Sequence, residues 1–415
     1  MFDLAGFTAI SLLFLTVLLI GMKWKAISKI IYVALFVRIL FLIINNYFIS
    51  LPDADMDAVN FEWWAWQWSR NGLSDVFNHY VGPDPYFISL VLAIPFSLLG
   101  RSMLFAQSFS IFFGIGSVVL GWLLAKKLWN ENIAQKVGWT IALFPSLISY
   151  SVIVMREPYI SFFILVGFYG IVNWVKFNNL KSIFVSIFGF MAATFFHGAS
   201  IIGLIIFLFV IVFYSLKRSL KLIKAKIISI QLLIIIFLST ILFVLYVSNK
   251  ISIPYLKNFK STSDLDNIRF KIHINTKGDA SFPDWLKINS NKEFIYKLPI
   301  RALYFVFAPF PWDIKKWPHL LGLLDGLLYM FLAYLIFYNR KIILKDPSLR
   351  IILLIILCYF ITFAIGVSNF GTGIRHRTKF VIELILLAGP FIPKIFFLKN
   401  QDFKNKIIYD DNDKK

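Results

Sequence analysis

The chain has 415 residues, of which 59% are hydrophobic, 18% aromatic and only 15% charged. Soluble domains contain roughly 45–50% apolar and about 25% charged residues, so this composition excludes a soluble globular protein and favours one embedded in a lipid bilayer. The formal net charge of +20 comes from Lys and Arg in short loops between apolar segments, a pattern that sets membrane topology rather than one that binds nucleic acid. The single cysteine, Cys358, excludes a disulfide framework and a thiolate metal site.

Apolar runs long enough to cross about 30 Å of hydrocarbon recur along the chain and predict about eleven transmembrane helices. Two further runs, 86–99 and 299–312, are shorter and contain prolines, which favours juxtamembrane or re-entrant helices over membrane crossings. The sequence therefore predicts an all-α, polytopic helical bundle that forms a single transmembrane domain over residues 1–415. The predicted spans are 4–22, 27–48, 103–125, 137–155, 158–177, 182–196, 199–216, 227–248, 318–338, 350–367 and 380–398.

The basic loops predict the orientation of these helices, because cytoplasmic loops are enriched in Lys and Arg. If the two short runs do not cross, every basic cluster of the short loops lies on one side, together with the Lys-rich C-terminal tail. We therefore expect a multi-pass protein of the cytoplasmic (inner) membrane with its N-terminus outside and its C-terminus in the cytoplasm. The chemically unusual sequence then lies outside, including an acidic loop at 49–102 and a cap loop at 249–317.

The acidic loop begins Leu-Pro-Asp-Ala-Asp-Met-Asp at residues 51–57. Helical spacing places Asp53 and Asp57 on one face, one turn apart, with Glu62 near that face. Two carboxylates held together have separated pKa values, so one of them can act as a base, or the pair can hold a divalent cation such as Mg²⁺ or Mn²⁺. Asp53, Asp57 and Glu62 are therefore the candidate catalytic residues, and Asp53 and Asp57 the candidate metal ligands. The alternative is a solvated acidic start of a surface helix.

Four tryptophans follow these acids: Trp63, Trp64, Trp66 and Trp68. Tryptophan is enriched at the membrane–water interface, so the segment is expected to lie flat as an interfacial helix. The alternative is that some of these rings stack on sugars.

Ionisable residues between apolar runs form a second set of candidates. Arg156 and Glu157 interrupt a long apolar stretch, and the planar guanidinium of an arginine there matches the oxygens of a phosphate. His197 stands between two apolar runs, where ionisable groups are functional candidates by default. A polar hairpin turn at Arg156-Glu157 and a satisfied interior histidine are the structural alternatives.

Residues 368–379 carry the most informative downstream stretch, in which two glycines allow a sharp bend before the last predicted span. Four potential cations follow on the predicted outer side, against the positive-inside rule. The phosphate or diphosphate of a lipid carrier explains them, and pairing with the early acids is the alternative. The candidate substrate- and phosphate-binding residues are Arg156, Glu157, His197, Arg301, Arg375, His376, Arg377 and Lys379.

These features resemble the membrane-embedded GT-C glycosyltransferases, in particular the bacterial polyprenyl-phosphate-dependent members. The resemblance covers the arrangement of residues 1–180: an acidic loop after an early span, a juxtamembrane helix, a span ending Leu-Ala-Lys-Lys-Leu-Trp, and another ending Leu-Phe-Pro-Ser ahead of Arg156-Glu157. It implies an inverting transfer in which Asp53 or Asp57 deprotonates the acceptor hydroxyl or binds a metal, while basic residues stabilise the departing phosphate. Many relatives have an aspartate where this chain has Arg156-Glu157, which leaves the metal role open.

The expected function is a glycosyltransferase that moves a hexosyl or pentosyl group from a polyprenyl-phosphate carrier to a glycan or lipid acceptor in cell-surface polysaccharide or lipopolysaccharide biosynthesis. One alternative is an O-antigen or capsule repeat-unit polymerase or ligase, which would use lipid-diphosphate-linked glycans without a metal. The other is a flippase or transporter of lipid-linked oligosaccharides. Transporters generally place polar residues near the bilayer midplane and contain internal repeats, whereas the polar residues here gather at one predicted face, which disfavours transport.

Overall fold

The computed structural model describes residues 3–80, 82–223 and 279–393. These residues form helices and no β-sheet, so the all-α prediction is confirmed for them. The predicted span at 227–248, residues 249–278 of the cap loop, residues 394–398 of the last predicted span and the basic C-terminal tail lie outside the described residues. The α-helices are α1 (Leu4–Lys23), α2 (Lys25–Tyr47), α3 (Val59–Ser69), α4 (Leu73–Asn78), α5 (Phe87–Leu99), α6 (Met103–Leu128), α7 (Glu131–Leu143), α8 (Pro145–Val152), α9 (Glu157–Phe177), α10 (Lys181–Phe196), α11 (Ile201–Ile223), α12 (Asn291–Phe307), α13 (Trp317–Tyr338), α14 (Arg340–Lys345), α15 (Pro347–Gly366), α16 (Phe370–Arg377) and α17 (Val381–Ala388).

Seven described helices are long and apolar enough to cross a membrane: α1, α2, α6, α9, α11, α13 and α15. The prediction of a helical membrane protein is confirmed at this coarser level, while the predicted number of eleven spans is not. Helix α10 is apolar but has only 16 residues, roughly 24 Å of helix against a hydrocarbon thickness of about 30 Å. The short run at 86–99 forms α5, which has 13 residues, and most of the run at 299–312 belongs to α12.

The prediction of one continuous span at 137–155 is wrong, because Pro145 divides it into α7 and α8. Proline has no N–H to donate and disfavours helical geometry in the residue before it, so Phe144 is extended, with φ −69° and ψ 121°. The predicted span at 380–398 is also interrupted, since α17 ends at Ala388 and Gly389–Phe391 form a 3₁₀ turn. After α8 the chain stays in the interior, so Arg156 and Glu157 are buried instead of forming a surface hairpin.

Helices α9 and α10 approach each other closely through glycines. A Cβ atom on Gly189 would lie 2.6 Å from the carbonyl oxygen of Phe163, and one on Gly170 would lie 2.5 Å from that of Ser182. Small residues at such positions let two membrane helices pack backbone against backbone, where van der Waals contact replaces the hydrophobic drive available in water. This packing brings the start of α9 beside the end of α10.

A buried ion pair fastens α16 to α13. The guanidinium of Arg377 donates to Oδ2 of Asp325 from Nη2 at 2.7 Å and from Nε at 3.1 Å. Its Nη1 also donates to the carbonyl oxygen of Val306 at 2.9 Å, at the end of α12. The pair is almost fully enclosed, with side-chain exposures of 0% for Arg377 and 7% for Asp325, so it holds three helices together.

Removal of the carboxylate in Asp325→Ala leaves the guanidinium of Arg377 buried without a counter-charge. Breaking such a pair costs about 3–5 kcal/mol, and we expect a loss of that size in the free energy of unfolding, measured by denaturant titration of the purified protein in detergent. The control is Glu131→Ala, which breaks an exposed pair with Lys126 and should cost less than about 1 kcal/mol. Equal losses in the two variants would contradict a fastening role for the buried pair.

The loop after α2 and helix α16 lie at the same end of the described bundle. Asn46, near the end of α2, exchanges side-chain hydrogen bonds of 3.0 and 2.9 Å with Gln107, near the start of α6. In the following loop, Asp57 forms an ion pair with Arg375 of α16. Residues that the charge pattern assigns to the outer side therefore occupy one end of the bundle, and which side of the membrane this end faces stays a prediction.

Single cysteines in a Cys358→Ser background test this arrangement and its orientation. Asp55 and Thr372 are exposed at the shared end, so we expect Asp55→Cys and Thr372→Cys both to react with a membrane-impermeant maleimide in spheroplasts. Lys341→Cys, in the exposed part of α14, should react only after lysis. Labelling of the first two cysteines from opposite sides would be incompatible with the fold, and labelling of both only after lysis would reverse the predicted orientation.

Candidate functional site

The acidic loop enters the bundle through a strained turn. Asp53 has φ 68° and ψ −1°, the left-handed region that costs a non-glycine residue roughly 1–2 kcal/mol. Ala54–Ala58 then form one turn of π-helix before α3, where the spacing of the acids predicts an ordinary α-helix. Left-handed residues and π-helical turns concentrate at functional sites, because the surrounding structure must hold them in place. The strain at Asp53 therefore points to the acidic loop as part of a site.

Seven of the predicted site residues meet beside this turn, although they come from widely separated parts of the chain. Asp57 pairs with Arg375 of α16, and Arg375 in turn faces Glu157 at the start of α9. Asp53 interacts electrostatically with Arg375, Glu157 and Asp57. We term this group the charge cluster; it consists of Asp53, Asp57, Arg156, Glu157, Arg375, His376 and Lys379.

Glu157 is the centre of the charge cluster and is only 1% exposed. Its Oε1 lies 3.3 Å from Nζ of Lys379, 3.7 Å from Nε of Arg375 and 3.9 Å from Nδ1 of His376. Nζ of Lys379 also lies 2.6 Å from Nδ1 of His376. The His197 ring borders the cluster, with its centroid 5.1 Å from that of His376. An ionised carboxylate is stable at such depth only when cations compensate for its lost hydration.

The hydrogen-bonding capacity of the charge cluster is only partly used. Within the described residues, Oε2 of Glu157 accepts no hydrogen bond, and Nε of Arg156 and of Arg375 donate none. Arg156 Nη1 donates to the carbonyl oxygen of Phe196 at 3.4 Å, and its guanidinium lies 5.2 Å from the centre of the Phe61 ring. Buried polar atoms normally have a hydrogen-bond partner. Guanidinium N–H groups without an acceptor at this depth are therefore suited to donate to the oxygens of an anionic ligand.

Asp53 has the surroundings of a general base. Its Oδ2 accepts a hydrogen bond of 3.0 Å from the hydroxyl of Tyr150. Burial raises the pKa of Asp53 above its usual value, and the positive charge of Arg375 and the hydrogen bond from Tyr150 oppose this only in part. A carboxylate with a raised pKa holds a transferred proton better, which is what base catalysis requires.

A small cavity adjoins the charge cluster on the side of α2. It measures about 10 Å³ and is lined by Arg38, Tyr150, Ser151 and Glu157 among others, which gives room for about one water molecule. Arg38 stands within the apolar helix α2 and donates to Oγ of Ser151 at 2.9 Å and to two backbone carbonyl groups at 3.2 Å. Arg38 was not among the predicted site residues, although a lone charged residue in an apolar run indicates a functional candidate. Neither was Tyr150, for which an apolar helix offers no signal.

Three predicted site residues have their partners elsewhere. Glu62 is buried and forms a bidentate ion pair with Arg101, in which both hydrogen bonds measure 2.8 Å. The guanidinium of Arg301 donates hydrogen bonds of 2.7–3.2 Å to three backbone carbonyl groups and to the hydroxyl of Ser368. Arg377 is bound to Asp325, as described above. The polar groups of these residues are engaged within the protein, and the candidate site does not include them.

The predicted divalent cation finds no ready set of ligands in this arrangement. Asp57 is paired with Arg375, and Asp53 accepts a hydrogen bond from Tyr150. Among the residues that the structure describes, no three His, Cys, Asp or Glu side chains are grouped so that they could hold a metal ion. A cation bound by Asp53 and Asp57 therefore stays a prediction, and the chemistry below does not depend on it.

The charge cluster thus combines a candidate base with guanidinium Nε groups that make no hydrogen bond to a described residue, a combination that suits the transfer of a group away from an anionic carrier. Comparison of the chain with models of protein families, with curated proteins and with solved structures finds no match.

Proposed function

We propose that this protein is a membrane-embedded glycosyltransferase that takes a sugar from a polyprenyl-phosphate carrier and passes it to a glycan or lipid acceptor. The reaction would take place at the outer leaflet of the cytoplasmic membrane, in the assembly of a cell-surface polysaccharide or lipopolysaccharide. The observation that carries the proposal is the charge cluster: Asp53, held in a strained turn, interacts electrostatically with Arg375, and the Nε atoms of Arg375 and of the buried Arg156 make no hydrogen bond to a described residue.

In the proposed reaction Asp53 is the general base. Its carboxylate takes the proton of the acceptor hydroxyl, and that oxygen forms a bond to the anomeric carbon of the donor sugar. The bond between the anomeric carbon and the phosphate oxygen breaks, and its electron pair leaves with the polyprenyl phosphate. Arg156 and Arg375 stabilise the charge on the departing phosphate, as fixed donors do at developing anions. Glu157 is a positioning residue, because it holds Arg375 and Lys379 at the cluster.

Each of the two alternative functions makes a different demand on the charge cluster. A repeat-unit polymerase or ligase would use the same base and guanidinium groups on a lipid diphosphate, so the lipid that accumulates without the protein separates the two enzymes. A flippase would need no general base. The acidic side chain of Asp53, with the surroundings of a general base, therefore supports an enzyme over a transporter.

Replacing either key residue tests the proposal. Asp53→Asn removes the base and Arg375→Ala a phosphate donor, and each should reduce glycan assembly by at least about 100-fold. The measurement is the amount of surface glycan, with mass spectrometry of lipid-linked sugars, in a deletion strain that carries each variant. Asp55→Asn is the control for the first variant, because Asp55 is exposed in the same turn, and Arg340→Ala, on the exposed surface of α14, is the control for the second.

The accumulated lipid decides between the enzymes. A sugar on a lipid monophosphate supports the glycosyltransferase, whereas an oligosaccharide on a lipid diphosphate would indicate the polymerase or ligase. Glycan at the wild-type level in both Asp53→Asn and Arg375→Ala, with the proteins folded and inserted, would refute the site assignment.

The raised pKa of Asp53 predicts the pH dependence of transfer. A base must be ionised to act, so activity should fall on acidification, and the midpoint should lie above the ordinary aspartate pKa of about 3.9. The hydrogen bond from Tyr150 lowers the pKa of Asp53, so Tyr150→Phe should move the acid limb to still higher pH. Initial rates of the purified enzyme between pH 4 and 9 measure this shift.

The control for Tyr150→Phe is Tyr304→Phe, which removes a hydroxyl that is bonded to Trp312 instead and should leave the pH profile unchanged. An unchanged profile in Tyr150→Phe, or a shift to lower pH, would show that Asp53 is not the base that limits the rate at acidic pH.

A further inference from the structure

A second cavity lies within the acidic loop, outside the charge cluster, and we term it the aromatic pocket. It measures about 280 Å³, close to the lower end of the ~300–1,000 Å³ found for small-molecule sites, which combine aromatic walls with a few polar groups. The lining residues on which the inference depends are Trp68, Asn78, His79, Asp84, Tyr86 and Phe87.

Contacts around the pocket hold its walls in place. The His79 ring stacks on Trp68 with ring centres 5.2 Å apart and an angle of 9° between their planes. Gly82, which also lines the pocket, has φ 98°, a backbone conformation that glycine adopts without a steric penalty. Oδ1 of Asp84 accepts a hydrogen bond of 2.7 Å from the backbone N–H of Tyr86, and no described residue donates to its Oδ2. The pocket thus offers flat aromatic faces and a carboxylate oxygen to a ligand.

Aromatic contacts connect the aromatic pocket to the charge cluster. Tyr86 lies 5.7 Å from Phe61 between ring centres, and the guanidinium of Arg156 lies 5.2 Å from the Phe61 ring. Arg156 also interacts electrostatically with Asp84 of the pocket. Phe87 packs 5.0 Å from Phe196, whose carbonyl oxygen accepts the hydrogen bond from Arg156. A ligand in the pocket is therefore close to the candidate phosphate site. The nearby guanidinium also disfavours a cationic occupant, although aromatic rings with a carboxylate would otherwise suit one.

We propose that the aromatic pocket binds a sugar ring of the saccharide substrate, an inference that rests on the proposed function. The apolar C–H face of a sugar ring packs against the aromatic side chains that line the pocket, among them Trp68, while its hydroxyl groups donate to the carboxylate of Asp84 and accept from the amide of Asn78. A purely apolar ligand would desolvate Oδ2 of Asp84 without offering it a hydrogen bond, which costs free energy. The sugar belongs either to the lipid-linked donor or to the acceptor glycan, and the binding experiment separates these two sources.

The test measures binding of three probes to the purified full-length protein in detergent. They are the lipid-linked saccharide extracted from the deletion strain, an oligosaccharide released by mild acid from the wild-type surface glycan, and polyprenyl monophosphate, which carries no sugar. In Trp68→Leu we expect binding of one saccharide probe to weaken about tenfold, equivalent to about 1.4 kcal/mol, with no change for polyprenyl monophosphate. The control is Trp63→Leu, because Trp63 lies on the same helix, is 40% exposed and does not line the pocket.

Asp84→Asn keeps the size of the side chain and should weaken binding of the same saccharide probe, so it decides the question if Trp68→Leu does not fold. Loss confined to the lipid-linked probe assigns the pocket to the donor, and loss confined to the released oligosaccharide assigns it to the acceptor. Unchanged saccharide binding in the folded variants, or an equal loss for polyprenyl monophosphate, would overturn the inference. Binding is measured without turnover, so this failure is distinct from a failure of Asp53→Asn to block glycan assembly.

Discussion

The organisation of this site depends on the cost of placing the carboxylate of Glu157 inside a helical bundle. A buried ion loses several kcal/mol of hydration, and removing its partner is strongly destabilising. The compensating cations, Lys379 at 3.3 Å and Arg375 at 3.7 Å, come from a part of the chain far from α9 in sequence. Electrostatic compensation therefore joins the first half of the protein to the segment around α16, and it does so at the end of the bundle where the acidic loop enters.

The buried arginines fall into two groups with different consequences. Arg301 and Arg377 direct their N–H groups to backbone carbonyl oxygens, to a hydroxyl or to Asp325, and they connect helices. Arg156 and Arg375 keep an Nε donor that makes no hydrogen bond to a described residue, next to an aspartate in a strained conformation. Buried donors without a hydrogen bond and backbone strain both reduce stability, so their coincidence at one place marks a candidate functional site.

The charge cluster and the aromatic pocket complement each other chemically. The cluster presents guanidinium groups and a candidate base, whereas the pocket presents aromatic faces with one carboxylate, and the Phe61 ring contacts a residue of each. A phosphate and a sugar ring are the parts of a lipid-linked saccharide that need such different surroundings. Both regions involve the acidic loop, whose helices α3, α4 and α5 pack against one another, so this loop is a structural element of the site and more than a connection between spans.

The sequence by itself determined the class of the protein and most of the candidate residues, because apolar length, charge distribution and polar residues in apolar surroundings are local properties. It did not determine partners. Arg375 and Arg377 are two positions apart on α16, so they point to different sides of the helix. The packing of α12 and α13 decides that Arg377 meets Asp325, and the placement of the acidic loop and of α9 decides that Arg375 meets Asp57 and Glu157. The burial of Arg156 and Glu157 likewise follows from how α9 packs against α10. A sequence pattern reports burial and spacing, but it does not report which distant side chain completes a contact.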